Sequence, residues 1–354
     1  MTSVLHLITT IKRGGAENQL LVLVKEQIKA GFQVHVAYLK DEPELQRDFE
    51  NIGALVHNNL SSLKFWKQPF ALRRLVQEHN FIVHSHLPRA ELVGLMCIKR
   101  FKFIITRHNA EPFFPGAPKF ISNFLSRLVS LRADKVIAIS NAVKLYLIQR
   151  GEIGDANKLE VVLYGYESRF TGRPVNSSDP SGIRKIGSIS RLTDQKDIPT
   201  MLDSFRRYLM IQPSATLTIL GEGPLEITLK DLAKSLNLEE TVKFLGRSSK
   251  IYDYLQELDA FILTSKYEGF GLVLLEAMDV GLPIVASRNS AIPEVLGFDF
   301  PNLCETGNSS DFSSKLTLLN DYRYIENIRK IQESRLALFD SRTMAQKISE
   351  AYES

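Results

Sequence analysis

Residues 4–39 read VLHLITTIKRGGAENQLLVLVKEQIKAGFQVHVAYL. Val4 to Ile8 is a short apolar run, a Gly14-Gly15 turn follows it, and Ala16 to Ala30 is amphipathic with a helical period. That stretch stops at Gly31, the residue a helix C-terminus favours, and Phe32 to Leu39 then alternates as a strand. Strand, helix and strand in so short a span make a βαβ unit, and such units build parallel sheets with helices on both faces.

The same alternation continues outward. Phe81 to His84, Lys102 to Arg107, Lys135 to Ile139 and Leu159 to Leu163 are strand candidates separated by helix-length segments. A Gly-, Pro- and Ser-rich stretch, GYESRFTGRPVNSSDPSG at 165–182, interrupts the pattern as a linker would. It restarts with Arg184 to Ser190, Thr216 to Leu220, Val242 to Leu245, Ala260 to Thr264 and Pro283 to Ala286. With 354 residues the chain exceeds the roughly 250–300 residues of one core. The expected fold is therefore α/β, with two doubly wound Rossmann-like domains, 1–166 and 167–341, facing a central cleft, and a last helix at 342–354 folding back onto the first. Ligands of such sheets bind beyond the C-terminal strand ends.

Composition is that of an ordinary globular protein, 44% hydrophobic and 24% charged. Cys97 and Cys304 are too few and too distant for a disulfide framework or a zinc site. The N-terminal apolar run is too short for a signal peptide, and no run of about 18 apolar residues suggests a membrane span. A cytoplasmic protein is expected, peripheral on the inner face of the cell membrane if it meets lipid at all. The net charge of +4 is uneven: residues 60–150 hold 15 Lys and Arg against 4 Asp and Glu, interleaved with KFWKQPF, KRFKF and EPFFPGAPKF. Such a surface suits anionic headgroups or a phosphorylated acceptor, or is simply solvated. No nucleic-acid partner is expected.

YEGFGLVLLEAM, at 267–278, carries two carboxylates, Glu268 and Glu276, within an apolar run. If Gly269-Phe270-Gly271 opens a helix at Leu272, the two lie roughly 12 Å apart along it. Paired glycosidase carboxylates are held about 5–9.5 Å apart, so these two do not act on one bond. They suit opposite ends of an elongated ligand whose phosphates rest at the helix start; on spacing alone, a helix-start charge and a solvated position account for them equally. Arg191 and Lys196 share one strand-end loop and could neutralise a diphosphate. Leu220 to Pro224 and Phe244 to Gly246 are further strand-end glycine turns where a base could rest. In the first half, Gly14-Gly15 is a strand-to-helix turn and His108 follows a strand. His84 and His86, read as lying after their strand, lack carboxylate or cysteine partners and make a poor metal motif.

These segments resemble the retaining glycosyltransferases of family 4, which have the GT-B fold. The resemblance rests on GGAE (14–17), HSHLPRA (84–90), TRHN (106–109), KVIAISNAV (135–143) and VVLYGYE (161–167) in the first half. It continues with GSISRLTDQKD (187–197), ILGEGPL (219–225), VKFLG (242–246) and YEGFGLVLLEAMDVGLPIVAS (267–287). The last holds an E-x7-E motif, and Arg191 with Lys196 gives R-x4-K.

The resemblance implies that Glu268 binds donor-sugar hydroxyls and Glu276 the ribose, while Arg191 and Lys196 hold the diphosphate with the backbone of Gly269, Phe270, Gly271 and Leu272. It places Arg247 at the base, Gly14 and Gly15 near the donor, and His108 beside the transferred sugar. The donor is expected to be a nucleotide-diphosphate sugar, a UDP-sugar first, and the acceptor a glycan or lipid-linked glycan in polysaccharide assembly. No Asp-x-Asp pair is present, so no metal or other cofactor is expected, and transfer would proceed by front-face attack. Ser290-Ala291-Ile292-Pro293-Glu294 departs from the usual Gly-Gly-Ile-Pro-Glu turn, and Tyr164-Gly165 from Asn-Gly. A UDP-sugar epimerase, a phosphorylase, and a non-catalytic nucleotide-sugar-binding regulator are the alternatives; a nicotinamide enzyme lacks its G-x-G-x-x-G.

Overall fold

The structure is a computed structural model that describes residues 2–79, 81–97, 101–114, 116–172 and 182–353. The chain divides into two compact units, 1–167 with 339–354, and 168–338. In the first unit, β1 (Ser3–Ile8), α1 (Gly15–Lys29), β2 (Gln33–Tyr38), α2 (Gln46–Asn51) and β3 (Leu55–His57) come first. They are followed by α3 (Gln68–Glu78), β4 (Phe81–His86), α4 (Pro88–Cys97), β5 (Phe103–Arg107), α5 (Lys119–Arg132), β6 (Lys135–Ala138), α6 (Asn141–Gln149) and β7 (Leu159–Val161). Among the described residues these strands form one sheet in the order β3-β2-β1-β4-β5-β6-β7, and every neighbouring pair is parallel.

The second unit holds β8 (Lys185–Ile189), α7 (Ile198–Leu209), β9 (Thr216–Leu220), α8 (Glu226–Ser235), β10 (Val242–Phe244), α9 (Ile251–Gln256) and β11 (Ala260–Leu263). It continues with α10 (Leu272–Asp279), β12 (Ile284–Ser287), α11 (Ile292–Leu296), β13 (Leu303–Cys304), α12 (Ser309–Leu318) and α13 (Tyr322–Leu336). Its parallel sheet has the order β10-β9-β8-β11-β12-β13. The last helix, α14 (Ser341–Glu353), belongs to the first unit and packs on α1.

The central strands of both sheets are buried almost end to end, as parallel strands between helix layers must be, while the edge strands β3, β7 and β10 are only partly buried. Leu5, Leu7, Val36, Val83 and Ile104 form the first core, and Ile186, Leu217, Ile219, Ile262 and Val285 the second. Three differences from the sequence reading matter. Strand β4 runs through His86, so His84 and His86 lie in the strand rather than after it, and both are buried. Tyr166 donates its N–H to Phe339 O at 2.6 Å and Lys25 pairs with Glu167, which fixes the start of the supposed linker to the first unit; its residues 173–181 lie outside the described residues. The short edge strands β3 and β13 carry too few residues for a period to show. Among the described residues no helix is long and apolar enough to cross a membrane.

Candidate active site

The second unit gathers most of the expected residues. The strand-end loop after β8 tightens into a turn over Asp194–Lys196, and a left-handed Asp197 (φ 48°) then starts α7. That turn is tied to the loop after β11 at several points. Thr264 Oγ1 donates to the carbonyls of Lys196 (2.9 Å) and Asp197 (3.0 Å), Lys266 N–H to Gln195 O (2.8 Å), and Gln195 Nε2 to Tyr267 O (2.9 Å). The result is a buried ion pair: Lys196 Nζ lies 2.5 Å from Glu268 Oε1, which also accepts from Ser265 Oγ at 2.6 Å. Arg191 is exposed and donates to Gln195 Oε1 at 3.2 Å.

Gly271 opens α10 at φ 93°, a left-handed value that glycine adopts without strain, so Leu272 begins the helix directly after the Glu268 loop. Glu268 therefore lies on the loop and Glu276 on the helix. Burial pushes the Glu276 carboxyl up to about 7, with Arg169 working against the shift and Asp279 adding to it. Ser290 replaces glycine in the family's turn yet still takes a glycine-like φ of 52°. A non-glycine residue there costs roughly 1–2 kcal/mol. Ser290 Oγ offsets this by donating to Glu268 O at 2.7 Å, which a glycine could not do. Gly221 and Gly246 pair through a 2.7 Å backbone bond, bringing two glycine turns together, and exposed Arg247 follows them.

The first unit carries the remaining expected residues. Gly14 caps α1 with extended backbone (φ −155°), and a Cβ there would meet only the tip of the Glu17 side chain, Oε2 at 2.5 Å. Gly15 is the first helical residue and is exposed. His108 follows β5 and is buried, and both its ring nitrogens are engaged: Nδ1 with the Tyr164 hydroxyl, Nε2 with His86 Nδ1 at 3.1 Å. Burial lowers its pKa to about 3, so the ring is neutral at physiological pH and only weakly basic. Tyr164, the departure from Asn-Gly, is thus the residue that holds it.

Beside His108 is a cavity of about 130 Å³ whose lining includes Glu91, Arg107, Phe113 and Leu147. Arg107 lies 3.0 Å from Glu91 Oε2 and 3.7 Å from Glu152 Oε2, and donates to Ser126 Oγ at 2.8 Å; all four are buried. Burial raises the Glu91 carboxyl to about 7 against the pull of Arg107. Periodicity did not point to this cluster. The sequence signal was a charge inside each of two otherwise apolar segments, at Glu91 and Arg107; Glu152 stands in the polar, glycine-rich QRGEIGD and carried none.

His6 joins His84 and His86, each offering a ring nitrogen within 4.8 Å of the others, a distance within reach of one metal ion. Their nitrogens are already bonded within the protein. His6 pairs with Gln27 and His86, His84 with Tyr352 and Thr106, and His86 with His6 and His108.

Two parallel-sheet α/β units, with a lysine–carboxylate pair beside a glycine-started helix in the second, define a glycosyltransferase of the GT-B type. Residues 13–167 match Glycosyltransferase Family 4 and residues 176–334 match Glycosyl transferases group 1, and the chain belongs to the glycosyltransferases built from these two domains. It is 28% identical to N-acetyl-alpha-D-glucosaminyl L-malate synthase of Bacillus anthracis over 263 residues, 70% of this chain and 66% of that protein. It is 26% identical over 351 residues, 94% of each chain, to a Campylobacter jejuni transferase. That relative is N-acetylgalactosamine-N,N'-diacetylbacillosaminyl-diphospho-undecaprenol 4-alpha-N-acetylgalactosaminyltransferase. Among solved structures, Anabaena HepE in complex with UDP and glucose superposes with a TM-score of 0.83 at 23% identity over all of both chains.

Proposed function

We propose that this protein is a retaining, metal-independent glycosyltransferase that moves a sugar from a UDP-sugar to a lipid-linked glycan in surface-polysaccharide assembly. The observation that carries this reading is the buried Lys196–Glu268 pair beside the Gly271 helix start. HepE was solved with UDP and glucose, and the name of the Campylobacter relative specifies an acceptor on diphospho-undecaprenol, which supports the same choice of substrates.

In this reading the N–H groups at the start of α10 and the cations Arg191 and Lys196 take up charge on the diphosphate. Lys196 gives one of its three N–H donors to Glu268 and keeps two for phosphate oxygens. The free oxygen of Glu268 accepts from hydroxyls of the sugar, and Glu276 accepts from the ribose. The acceptor oxygen bonds to the anomeric carbon on the face the diphosphate leaves, the bond from that carbon to the diphosphate oxygen breaks, and the acceptor proton passes to the leaving phosphate. Orientation and charge stabilisation are what the protein supplies.

Incubation with a panel of nucleotide sugars, in the presence of EDTA, should give transfer or slow hydrolysis of one UDP-sugar. Interconversion of UDP-sugars without an acceptor would identify an epimerase, and failure to bind any nucleotide sugar would end the reading. Because Glu276 ionises near 7 and ribose hydroxyls donate best to a carboxylate, UDP affinity is expected to rise between about pH 6 and pH 8. Calorimetry should find that dependence absent in Glu276→Gln.

The membrane side of the proposal rests on α5, which is built inside out. Ser122, Ser126 and Ser130 are buried, while Phe120 and Phe124 are 74% and 65% exposed and Leu128 and Leu131 continue their stripe. The serines face inward because Ser126 serves Arg107 and Glu152. The helix carries Lys119, Arg127 and Arg132 and no acidic residue. Apolar rings flanked by cations suit an anionic lipid surface. Flotation with anionic liposomes at low salt should recover the protein, and Phe120→Ser with Phe124→Ser should release it; equal recovery of wild type and variant would exclude this face.

A further inference from the structure

The buried histidines of the first unit form more than a cluster. Starting from Gln27, whose Oε1 lies 2.7 Å from His6 Nε2 and whose Nε2 donates to the Tyr352 hydroxyl at 2.9 Å, each link has one allowed direction. An amide oxygen only accepts, so His6 carries its proton on Nε2. A neutral imidazole has one proton, so His6 Nδ1 is an acceptor, and its partner at 3.0 Å, His86 Nε2, must be the donor. His86 Nδ1 then accepts from His108 Nε2 at 3.1 Å, and His108 Nδ1 accepts from the Tyr164 hydroxyl. On the other side Tyr352, having accepted from Gln27, donates to His84 Nδ1 at 2.8 Å, and His84 Nε2 donates to Thr106 Oγ1 at 2.7 Å.

We infer that these groups are one directed hydrogen-bond chain, Tyr164→His108→His86→His6→Gln27→Tyr352→His84→Thr106, and that Gln27 is a positioning residue that fixes the tautomer of His108 from a distance, while Tyr352 sets that of His84. The chain crosses three neighbouring strands and two helices: His6 stands on β1, His84 and His86 on β4, Thr106 on β5, Gln27 on α1 and Tyr352 on α14. Each link is buried, so a reversed or missing proton leaves an unpaired polar group, which costs roughly 1–3 kcal/mol. A single amide sets the direction of the whole chain, because histidine can be entered from either side but an amide cannot be inverted without rotating. Helix α1, through Gln27, is thereby coupled to the ring expected beside the transferred sugar. The functional part of this inference rests on the glycosyltransferase reading; the tautomer chain does not.

The test is long-range ¹H–¹⁵N correlation on histidine-labelled protein, which distinguishes a protonated Nε2 from a protonated Nδ1. At neutral pH His6, His84, His86 and His108 are all expected as neutral rings with the proton on Nε2. In Gln27→Leu, His6 Nε2 loses its acceptor and the upstream half should reverse, moving the His108 proton to Nδ1 although residue 27 does not touch that ring. In Tyr352→Phe only His84 should change. A wild-type His108 with its proton on Nδ1, or a His108 signal identical in Gln27→Leu, overturns the chain. In a transfer assay Gln27→Leu should lower kcat by up to roughly 10²-fold with the donor KM little changed, as expected of a displaced group; an unchanged kcat overturns the positioning role. Absence of turnover in wild type would count against the glycosyltransferase reading and leave the tautomer result standing.

Discussion

Lys196→Ala is expected to lower kcat/KM for the UDP-sugar by roughly 10²- to 10³-fold, the usual effect of removing one donor aimed at developing charge. The substitution acts twice. On the proposed reading it takes a cation from the diphosphate, and it leaves Glu268 buried with Ser265 as its remaining side-chain partner, a negative charge next to the proposed phosphate site. The second effect is separable. In Lys196→Ala with Glu268→Gln the stranded charge is gone, so the double variant should lose less than the two single losses combined, a coupling of roughly 0.5–3 kcal/mol. Glu268→Gln alone keeps a hydrogen-bonding side chain and should act chiefly on recognition of the sugar. Circular dichroism before each assay separates lost activity from lost structure, since breaking a buried pair destabilises by roughly 3–5 kcal/mol. Full activity in Lys196→Ala would remove the pair from the mechanism.

Lys196 and Glu268 could be singled out one by one, though not as an ion pair, and the histidine chain could not be seen at all, because of how each is encoded. Lys196 and Glu268 stand on loops just beyond strands whose apolar runs are unmistakable, β8 and β11, and these strands are hydrogen-bonded neighbours. Strand periodicity places each residue just beyond a strand end, the structure supplies the adjacency, and the R-x4-K and E-x7-E spacings carry the resemblance that singles the residues out. The turn at Ser290 was legible as a departure but not in its consequence: only the structure shows that serine keeps the left-handed backbone and bonds Glu268 O. His6 lies between leucines in β1, His84 and His86 flank Ser85 at the end of β4, and they carry no signal except being polar where a core is expected. Their partners, Gln27 and Tyr352, are 325 positions apart, and no local pattern joins residues at that separation. The inside-out character of α5 was hidden for a related reason. A helical stripe of Phe and Leu reads as a core face, and it is the serine face that packs inward, drawn by a buried arginine and glutamate contributed by other elements.

That arginine carries the second large effect. Arg107→Met is expected to destabilise the protein by roughly 3–5 kcal/mol at about pH 8, because it leaves Glu91 and Glu152 as buried charges without their cation. The loss should shrink toward about pH 5, and the sign follows from Glu91. Its carboxyl is raised in the folded protein from 4.5 to about 7, so the folded state holds a proton the unfolded state has already released, and the stability this contributes is lost as pH rises through that window. Without Arg107 the carboxyls are pushed higher still, so the variant diverges from wild type as pH rises and approaches it once both carboxyls are protonated. Glu91→Gln is the complementary change. It leaves Arg107 with Glu152 and Ser126, removes the group whose ionisation is resisted, and should flatten the decline between about pH 4.5 and pH 7 by up to roughly 1.4 kcal/mol per pH unit. Urea unfolding at the two pH values measures both variants, and an Arg107→Met loss equal at both would show that the guanidinium acts through packing against Phe113 rather than through charge.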